Sequence, residues 1–579
     1  MKSKYETYAM AKYTLPEENW GWNLYGAGLE NFGRKSQPEV FSVPEPGQDQ
    51  MLVRIDAVGM CFSDIKILRQ GGKHPKLYNR DLSKEPGRLG HEVSITVIKV
   101  GKTLQKDYRP GQRFAIQPDI YQNKLSTAFG YTIPGGLIQY LLIGPEVLET
   151  DEGVCLLPLE GGISYAAASL LEPWGCVLAA YTQRRRLTPK KGGKMWIIGR
   201  PDDDQTYQFS GGLEAPDVIV LTDVPQSVLD LAKGAGKEII EKNGLDDAGF
   251  TAMSDEYTEG KGFDDIVVLA PKSATRVSAI SRLIARRGTM NIVGNLPLDG
   301  LVEVDMSRLH YDYIAFMGNA GRDIAESYGE ARNRCEIRPG GTAVFIGAGG
   351  PMGQMHVQRA LESPDGPQII IATEINPDRL EALVSRFLPL AEKNGRELHV
   401  INPNELTQSL KEFVMGCTDG KGADDVVVSV PSTGLMAEAA TLMSADGMYV
   451  AFAGVASGSM APLALSDVYL HHAQYTGTSG LTIRDQAAVL DQANLGKLSP
   501  GRMVAAIGGI EAARDAIEGV IESRYPGKIV IFPQIHDLPL TGLDQLAAIL
   551  PEVADKLGPG NVWTIEAEAA LFEKCWKNE

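Results

Sequence analysis

Cys61 in GMCFSDIK, His91 and Glu92 in GRLGHEVS, and Glu172 in LLEPWG offer a thiolate, an imidazole and carboxylates in one stretch of chain. Zinc accepts that mixture of soft and borderline donors, and three protein ligands with an open fourth position make a catalytic rather than a structural site. Singly, each residue has an ordinary explanation as core or surface. Together and in this order they point to one metal centre.

A second chemical signal lies far downstream. Gly347-Ala348-Gly349-Gly350-Pro351-Met352-Gly353 follows the apolar run TAVFI directly and precedes the helical pattern QMHVQRALE. Strand, glycine turn and helix N-terminus together cradle a pyrophosphate, because glycine lets the backbone approach it and the helix end carries partial positive charge. Glu374, 21 residues past Gly353 at the end of the next apolar run, is placed to accept hydrogen bonds from a ribose diol. An acid there repels a 2′-phosphate, so NAD is expected rather than NADP. Arg379 joins Gly347, Gly349, Gly350, Pro351, Met352, Gly353 and Glu374 as a cofactor-binding candidate.

Both signals need elements to position them. Residues 38 to 150 alternate apolar and polar in short runs broken by Gly and Pro, which predicts a mostly antiparallel, barrel-like β domain. Beyond AAASLLEPWGCVLAAYTQRRR the runs become continuously apolar, as strands buried on both faces of a parallel sheet are. This α/β pattern occurs twice: KMWIIG is echoed by TAVFIG, VIVLTDV by IIIATEI, and GKGFDDIVVLAP by GKGADDVVVSVP. The offset suits a duplicated domain rather than a solenoid.

The expected organisation is therefore a metal-binding domain over 1–180, a first Rossmann-like copy over 181–327, a second over 328–499, and a segment over 500–579 whose KIVIF strand rejoins the first domain. The first copy keeps Asp223 at its strand end, yet its turn reads Gly199-Arg200-Pro201-Asp202-Asp203-Asp204. Three carboxylates there repel phosphate, so this copy reads as degenerate; the alternative is that the longer loop SGGLEAP supplies a different pocket. Arg184, Arg185 and Arg186 read as a C-terminal cap against a helix dipole, and His310, His471 and His472 as structural.

The chain has 579 residues, 56 basic and 73 acidic, for a net charge of −17. That length calls for several cores, and that charge argues against nucleic acid or anionic membrane as a partner. Six cysteines without C-x-x-C spacing make no disulfide framework. The N-terminal stretch has no uninterrupted apolar core, and a cytoplasmic location is expected.

With these residues in view, the sequence resembles the medium-chain, zinc-dependent alcohol and polyol dehydrogenases. The resemblance is carried by Gly59–Asp64, Gly90-His91-Glu92, Glu172-Pro173, the glycine turn and Arg524–Lys528. HPKLYNRDL, FGYTIPGG and EPWGCVLAAY are similar to the L-sorbose-1-phosphate reductase-like branch. The resemblance implies a GroES-like β-barrel catalytic domain and a doubly wound Rossmann domain; the internal repeat makes two Rossmann-type domains in tandem, one of them extra to the resemblance. The resemblance also implies Cys61, His91 and Glu172 on one catalytic zinc, Glu92 as a fourth ligand or a supporting group, Ser63 as proton relay and Asp64 as orienting partner. No structural zinc is expected, since residues 115 to 145 contain no cysteine.

The implied reaction moves a hydride between a sugar, polyol or sugar-phosphate carbinol and NAD. The alternative is a lyase or epimerase that uses tightly bound NAD transiently. Lys76, Arg80 and Arg88, between the Cys61 and His91 motifs, are substrate candidates, with a solvated loop as the other reading. A small carbohydrate substrate and a homo-oligomer are the expected partners.

Overall fold

The computed structural model describes residues 3–182 and 185–577. Packing divides the chain into two compact units: Met1–Ala179 with Gly350–Met355 and Gly480–Glu579, and Ala180–Gly349 with His356–Ser479.

Among the described residues, the first unit is built on an eight-stranded sheet centred on Met51–Gly59. Glu92–Val100 and Tyr140–Ile143 pair with that strand antiparallel, and Arg113–Ile116 and Leu156–Pro158 continue the sheet outward. On the other side the late strand Lys528–Phe532 pairs with Val58 and Gly59, so KIVIF does rejoin the first β domain. Val53, Ile55, Val93, Ile95, Ile116, Ile529 and Ile531 fill the core on one face.

Met51–Gly59 is buried throughout rather than at alternate residues, because its second face is covered too. The polar side chains on that face are paired: Arg54 Nε donates to Asp56 at 2.7 Å, and Tyr8 and Thr96 hydroxyls donate to the same carboxylate at 2.8 and 2.6 Å. Such burial is tolerated when the charge is paired and hydrogen-bonded. The chain returns to this unit at Gly480, earlier than the expected 500, because helix Ile483–Asn494 packs on helix Leu171–Ala179. A side chain at Gly175 would strike Leu481 at 2.5 Å.

The second unit holds both α/β copies. Each is a six-stranded parallel sheet among the described residues. In the first, Lys194–Ile198 lies between Val218–Thr222 and Phe263–Leu269; in the second, Thr342–Ile346 lies between Ile369–Thr373 and Ala423–Val428. Strand order reverses at that point in both, the switch point where open α/β sheets take ligands. The copies differ just there. Helix Pro351–Glu362 follows the second copy's first strand, whereas residues 199–217 run from the first copy's first strand to its second without a helix. Asp202 in that loop is paired with Arg200 and Lys272, each at 2.8 Å.

Two short strands, Val302–Asp305 of the first copy and Met460–Leu463 of the second, pair antiparallel and join the copies. One expectation is corrected here. Helix Leu171–Ala179 ends before the arginine triplet. Arg185 instead donates to the carbonyls of Ser327, Tyr328 and Arg332, and Arg186 pairs with buried Asp265 at 3.0 Å. Arg184 lies outside the described residues. No helix among the described residues is long and apolar enough to cross a membrane.

Candidate active site

Cys61 ends the turn after the central strand and stands as N-cap of helix Phe62–Gln70. His91 and Glu92 enter the neighbouring antiparallel strand, in which Glu92 is paired with Gly59. Register alone therefore brings residues thirty positions apart in sequence to the same sheet end. Donor atoms of Cys61, His91 and Glu92 lie within 4.8 Å of one another, a group able to hold a metal ion.

Asp64 organises the cluster from behind. Its carboxylate accepts the N–H of Gly90 at 3.0 Å and of Cys61 at 3.1 Å, and lies 3.4 Å from His91 Nδ1. A ligating imidazole needs such a partner on its other nitrogen to fix tautomer and orientation. Burial alone would raise the Asp64 carboxyl, but the His91 charge and the two backbone donors hold it below its ordinary range. His91 shows the converse: burial lowers it, and Asp64 and Cys61 outweigh that and raise it well above an ordinary imidazole.

Glu92 is fully buried beside Lys528, whose ammonium donates to Oε1 at 2.6 Å. Its other oxygen has no hydrogen-bond partner among the described residues, and a side chain at Gly59 would fill the space there, 2.2 Å away. A buried carboxylate oxygen left without a donor, facing a thiol and an imidazole, is the arrangement a bound cation completes. The donor types fit zinc.

Glu172 stands outside this close group. It is buried on helix Leu171–Ala179, its Oε1 accepting from Cys176 Sγ at 3.7 Å one turn on. Burial pushes its pKa up to about 7, with His91 opposing and Glu92 and Asp119 reinforcing the rise. Ser63 is half-buried on the first turn of its helix, next to Cys61.

The three basic candidates differ in engagement. Lys76 pairs with Asp119 at 2.8 Å and lies over the Tyr131 ring, which also meets the His74 ring at 5.4 Å and the His91 ring at 5.9 Å. Arg80 donates to the carbonyls of Thr132 and Pro86, and Arg88 to Asn23 at 2.9 Å, so both hold loops in place. Burial brings the Arg88 guanidinium down to about 10.

Lys528, Tyr131, Asp119 and Cys176 had no assigned role in the sequence, although RYPGK and FGYTIPGG contain the first two. Gly130, in the second of these motifs, has φ +80° and faces His91 so closely that a side chain would reach its Cβ at 2.8 Å.

In the second copy, Gly347 has φ +73° and touches Val430, which would meet a side chain at 2.2 Å. Glu374 is buried, accepts the N–H groups of Ile375 and Asn376 at 2.8 and 3.1 Å, and has Arg379 3.9 Å away. A side chain at Gly349 would meet the Glu374 carboxylate at 2.3 Å. Beside Gly350 the space is open. Pro351, Met352 and Gly353 form the first turn of the following helix. A glycine turn closed on one side by an acid and open on the other fits a dinucleotide.

Residues 47–149 match the alcohol dehydrogenase GroES-like domain. The uncharacterized protein YggP of Escherichia coli (strain K12) is 30% identical over 311 residues, covering 49% of this chain and 70% of that protein. L-sorbose 1-phosphate reductase of Klebsiella pneumoniae is 23% identical over 555 residues, 94% of this chain and 96% of that one. Mannitol-1-phosphate 5-dehydrogenase of Aliivibrio fischeri (strain ATCC 700601 / ES114) is 23% identical over 549 residues, 93% and 95% of the two chains. With the matched GroES-like domain carrying Cys61, His91 and Glu92, the chain belongs to the medium-chain, zinc-dependent alcohol dehydrogenase family of oxidoreductases.

Proposed function

We propose that the chain is an NAD-dependent dehydrogenase acting on a polyol or sugar-phosphate carbinol at a single zinc. The observation that carries this reading is the convergence of Cys61, His91 and Glu92 donor atoms within 4.8 Å, with Asp64 behind the imidazole. Zinc bound there supplies a Lewis acid that lowers the pKa of a carbinol and so prepares its carbon to release hydride.

The protein's own residues do the rest. Asp64, 3.4 Å from His91 Nδ1, orients the imidazole so that its other nitrogen would be free to hold the metal. Lys528 donates to the buried Glu92 carboxylate at 2.6 Å and so gives it a charged partner inside the fold. Ser63, beside Cys61 and half-exposed, takes the carbinol proton on its hydroxyl and passes it outward. Tyr131 over His91 excludes water, while Lys76 and Asp119 offer a donor and an acceptor to the remaining hydroxyls or the phosphate of the substrate. Glu374 selects NAD by accepting from the ribose diol.

The test is initial-rate measurement of zinc-loaded protein with polyols, ketoses and their phosphates, in both directions, with NAD(H) and NADP(H). Turnover of at least one polyol or sugar phosphate, with NAD preferred, is expected. Zinc-loaded, folded protein that transfers hydride to none of them overturns the reading.

A further inference from the structure

We infer that the first α/β copy is a built-in partner for the second: it occupies, within the same chain, the face that the second copy would otherwise present to another subunit. The inference is independent of the reaction proposed above.

The contacts between the copies are reciprocal. The last strands of the two sheets, Ala315–Asn319 and Gln474–Gly477, lie beside one another. Each carries a glycine at its fourth position, and each glycine is pressed by a short helix of the other copy. A side chain at Gly318 would meet Tyr469 Cβ at 2.7 Å, and one at Gly477 would meet the Leu309 carbonyl at 2.5 Å and His310 Cα at 3.0 Å. Tyr469 and His310 each stand eight residues before the glycine of their own copy.

The same two residues reach further in matching ways. Tyr469 packs on Gly294 of the first copy, and its hydroxyl donates to the Leu296 carbonyl at 2.7 Å. His310 packs on Gly454 of the second, with Nδ1 3.2 Å from the Ala451 carbonyl. Glycines 294 and 454 both follow the long fifth strand of their copies. The antiparallel pair of Val302–Asp305 with Met460–Leu463 closes the relation.

Residue i touching j′ while j touches i′ is the signature of a two-fold, self-complementary interface. Such interfaces ordinarily join two identical chains. Here one chain contributes both halves, and each covers what the other would expose. Ala461, Leu463, Leu465, Val468, Tyr469 and Tyr475 of the second copy are all buried, together with Val302, Val304, Met306 and Leu309 of the first, in one continuous apolar core. A second copy without the first would present that apolar face, and an unprotected strand edge, to solvent.

This gives the degenerate copy a reason to persist without a phosphate-binding turn. Its last strand and its short helix serve the interface, whereas the loop 199–217 packs on the sheet through Tyr207 and Leu213, in a cluster separate from the interface core. The switch-point loop is free to diverge, while Gly318, Gly294 and His310 are not.

The test uses the full chain carrying Glu303→Cys and Pro462→Cys. These residues face each other in the antiparallel pair. The Glu303 N–H is taken by Ser278 Oγ at 2.8 Å and Pro462 has no N–H, so this is a non-hydrogen-bonded pair, the type whose Cβ atoms approach within disulfide reach. Oxidation at low micromolar concentration, followed by non-reducing electrophoresis and peptide mapping, is expected to give a 303–462 link inside a single chain. A link between two chains overturns the inference, and so does the absence of a link. Hydrogen exchange on the unaltered protein gives a second reading that needs no variant. Amide protection in 302–305 and 460–463 is expected to stay constant over about a 100-fold dilution, because the partner is tethered; protection that falls with dilution overturns the inference.

Discussion

The Asp64 carboxylate lies 3.4 Å from Nδ1 of His91 while accepting the backbone N–H groups of Gly90 and Cys61. One side chain thus sets the orientation of two candidate ligands and the turn that carries each. Asp64→Ala is expected to weaken zinc binding by about 10- to 100-fold, the usual cost of losing a histidine's outer partner. Competition with a chromophoric chelator measures it, and unchanged affinity would remove Asp64 from the centre.

Lys528 and Glu92 are both almost wholly buried, and their ion pair links residues 436 positions apart. Lys528→Met leaves the Glu92 charge without its partner, which is expected to destabilise the metal-free protein by about 3 kcal/mol or more. Adding Glu92→Gln removes the stranded charge and is expected to recover part of that loss. Thermal unfolding of the two variants checks both statements; a double variant no more stable than the single one contradicts them.

Gly349→Val tests the nucleotide turn. A side chain there collides with the Glu374 carboxylate and with Arg379. Nicotinamide nucleotide affinity is expected to fall by about 100-fold, since both the turn and the ribose acceptor move. Zinc content is expected to be unchanged. Fluorescence titration with NADH and metal analysis on the same sample separate the two effects.

His356, fully buried on helix Pro351–Glu362, is hydrogen-bonded through Nδ1 to the Tyr181 hydroxyl at 2.6 Å. Burial, aided by the Arg359 charge, brings its pKa from 6.5 down to about 3. Below pH 6.5 the unfolded chain takes up a proton that the native state refuses, so its contribution to stability is complete above 6.5 and is lost as pH falls toward 3. The loss at the bottom of that window is about 4 kcal/mol. His356→Phe combined with Tyr181→Phe removes the titrating group and its partner, and is expected to flatten the stability profile between those pH values. A profile as steep as the original would assign the acid limb to other groups.

Much of this architecture was legible because local pattern and global role agree. The duplicated α/β runs, the glycine turn at 347–353 and the return of KIVIF to the first sheet each rest on short-range periodicity. Cys61, His91, Glu92 and Glu172 could be grouped because their donor types suit one metal; the fold draws the first three within 4.8 Å of one another and leaves Glu172 outside that close group. Lys528 could not be paired with Glu92, since no local signal links positions 92 and 528. Nor could Asp119 be read as a neighbour of Glu172, because only the fold brings them together, whereas Cys176 follows Glu172 by one helical turn. The arginine triplet misled for a similar reason: its partners, Asp265 and the carbonyls of 327–332, lie in elements far along the chain. The junction between the copies was hidden because Val302–Asp305 and Met460–Leu463 are too short to declare themselves as strands.

The central claim is that one metal held by the Cys61, His91 and Glu92 cluster supports hydride transfer to NAD. The most direct measurement takes wild-type and Cys61→Ser protein from parallel preparations and determines zinc per chain and polyol-dependent NADH formation on each. About one zinc per wild-type chain is expected, with zinc and NADH formation lost together in Cys61→Ser. Full activity in zinc-free wild type, or Cys61→Ser protein that keeps both its zinc and its rate, would contradict the account.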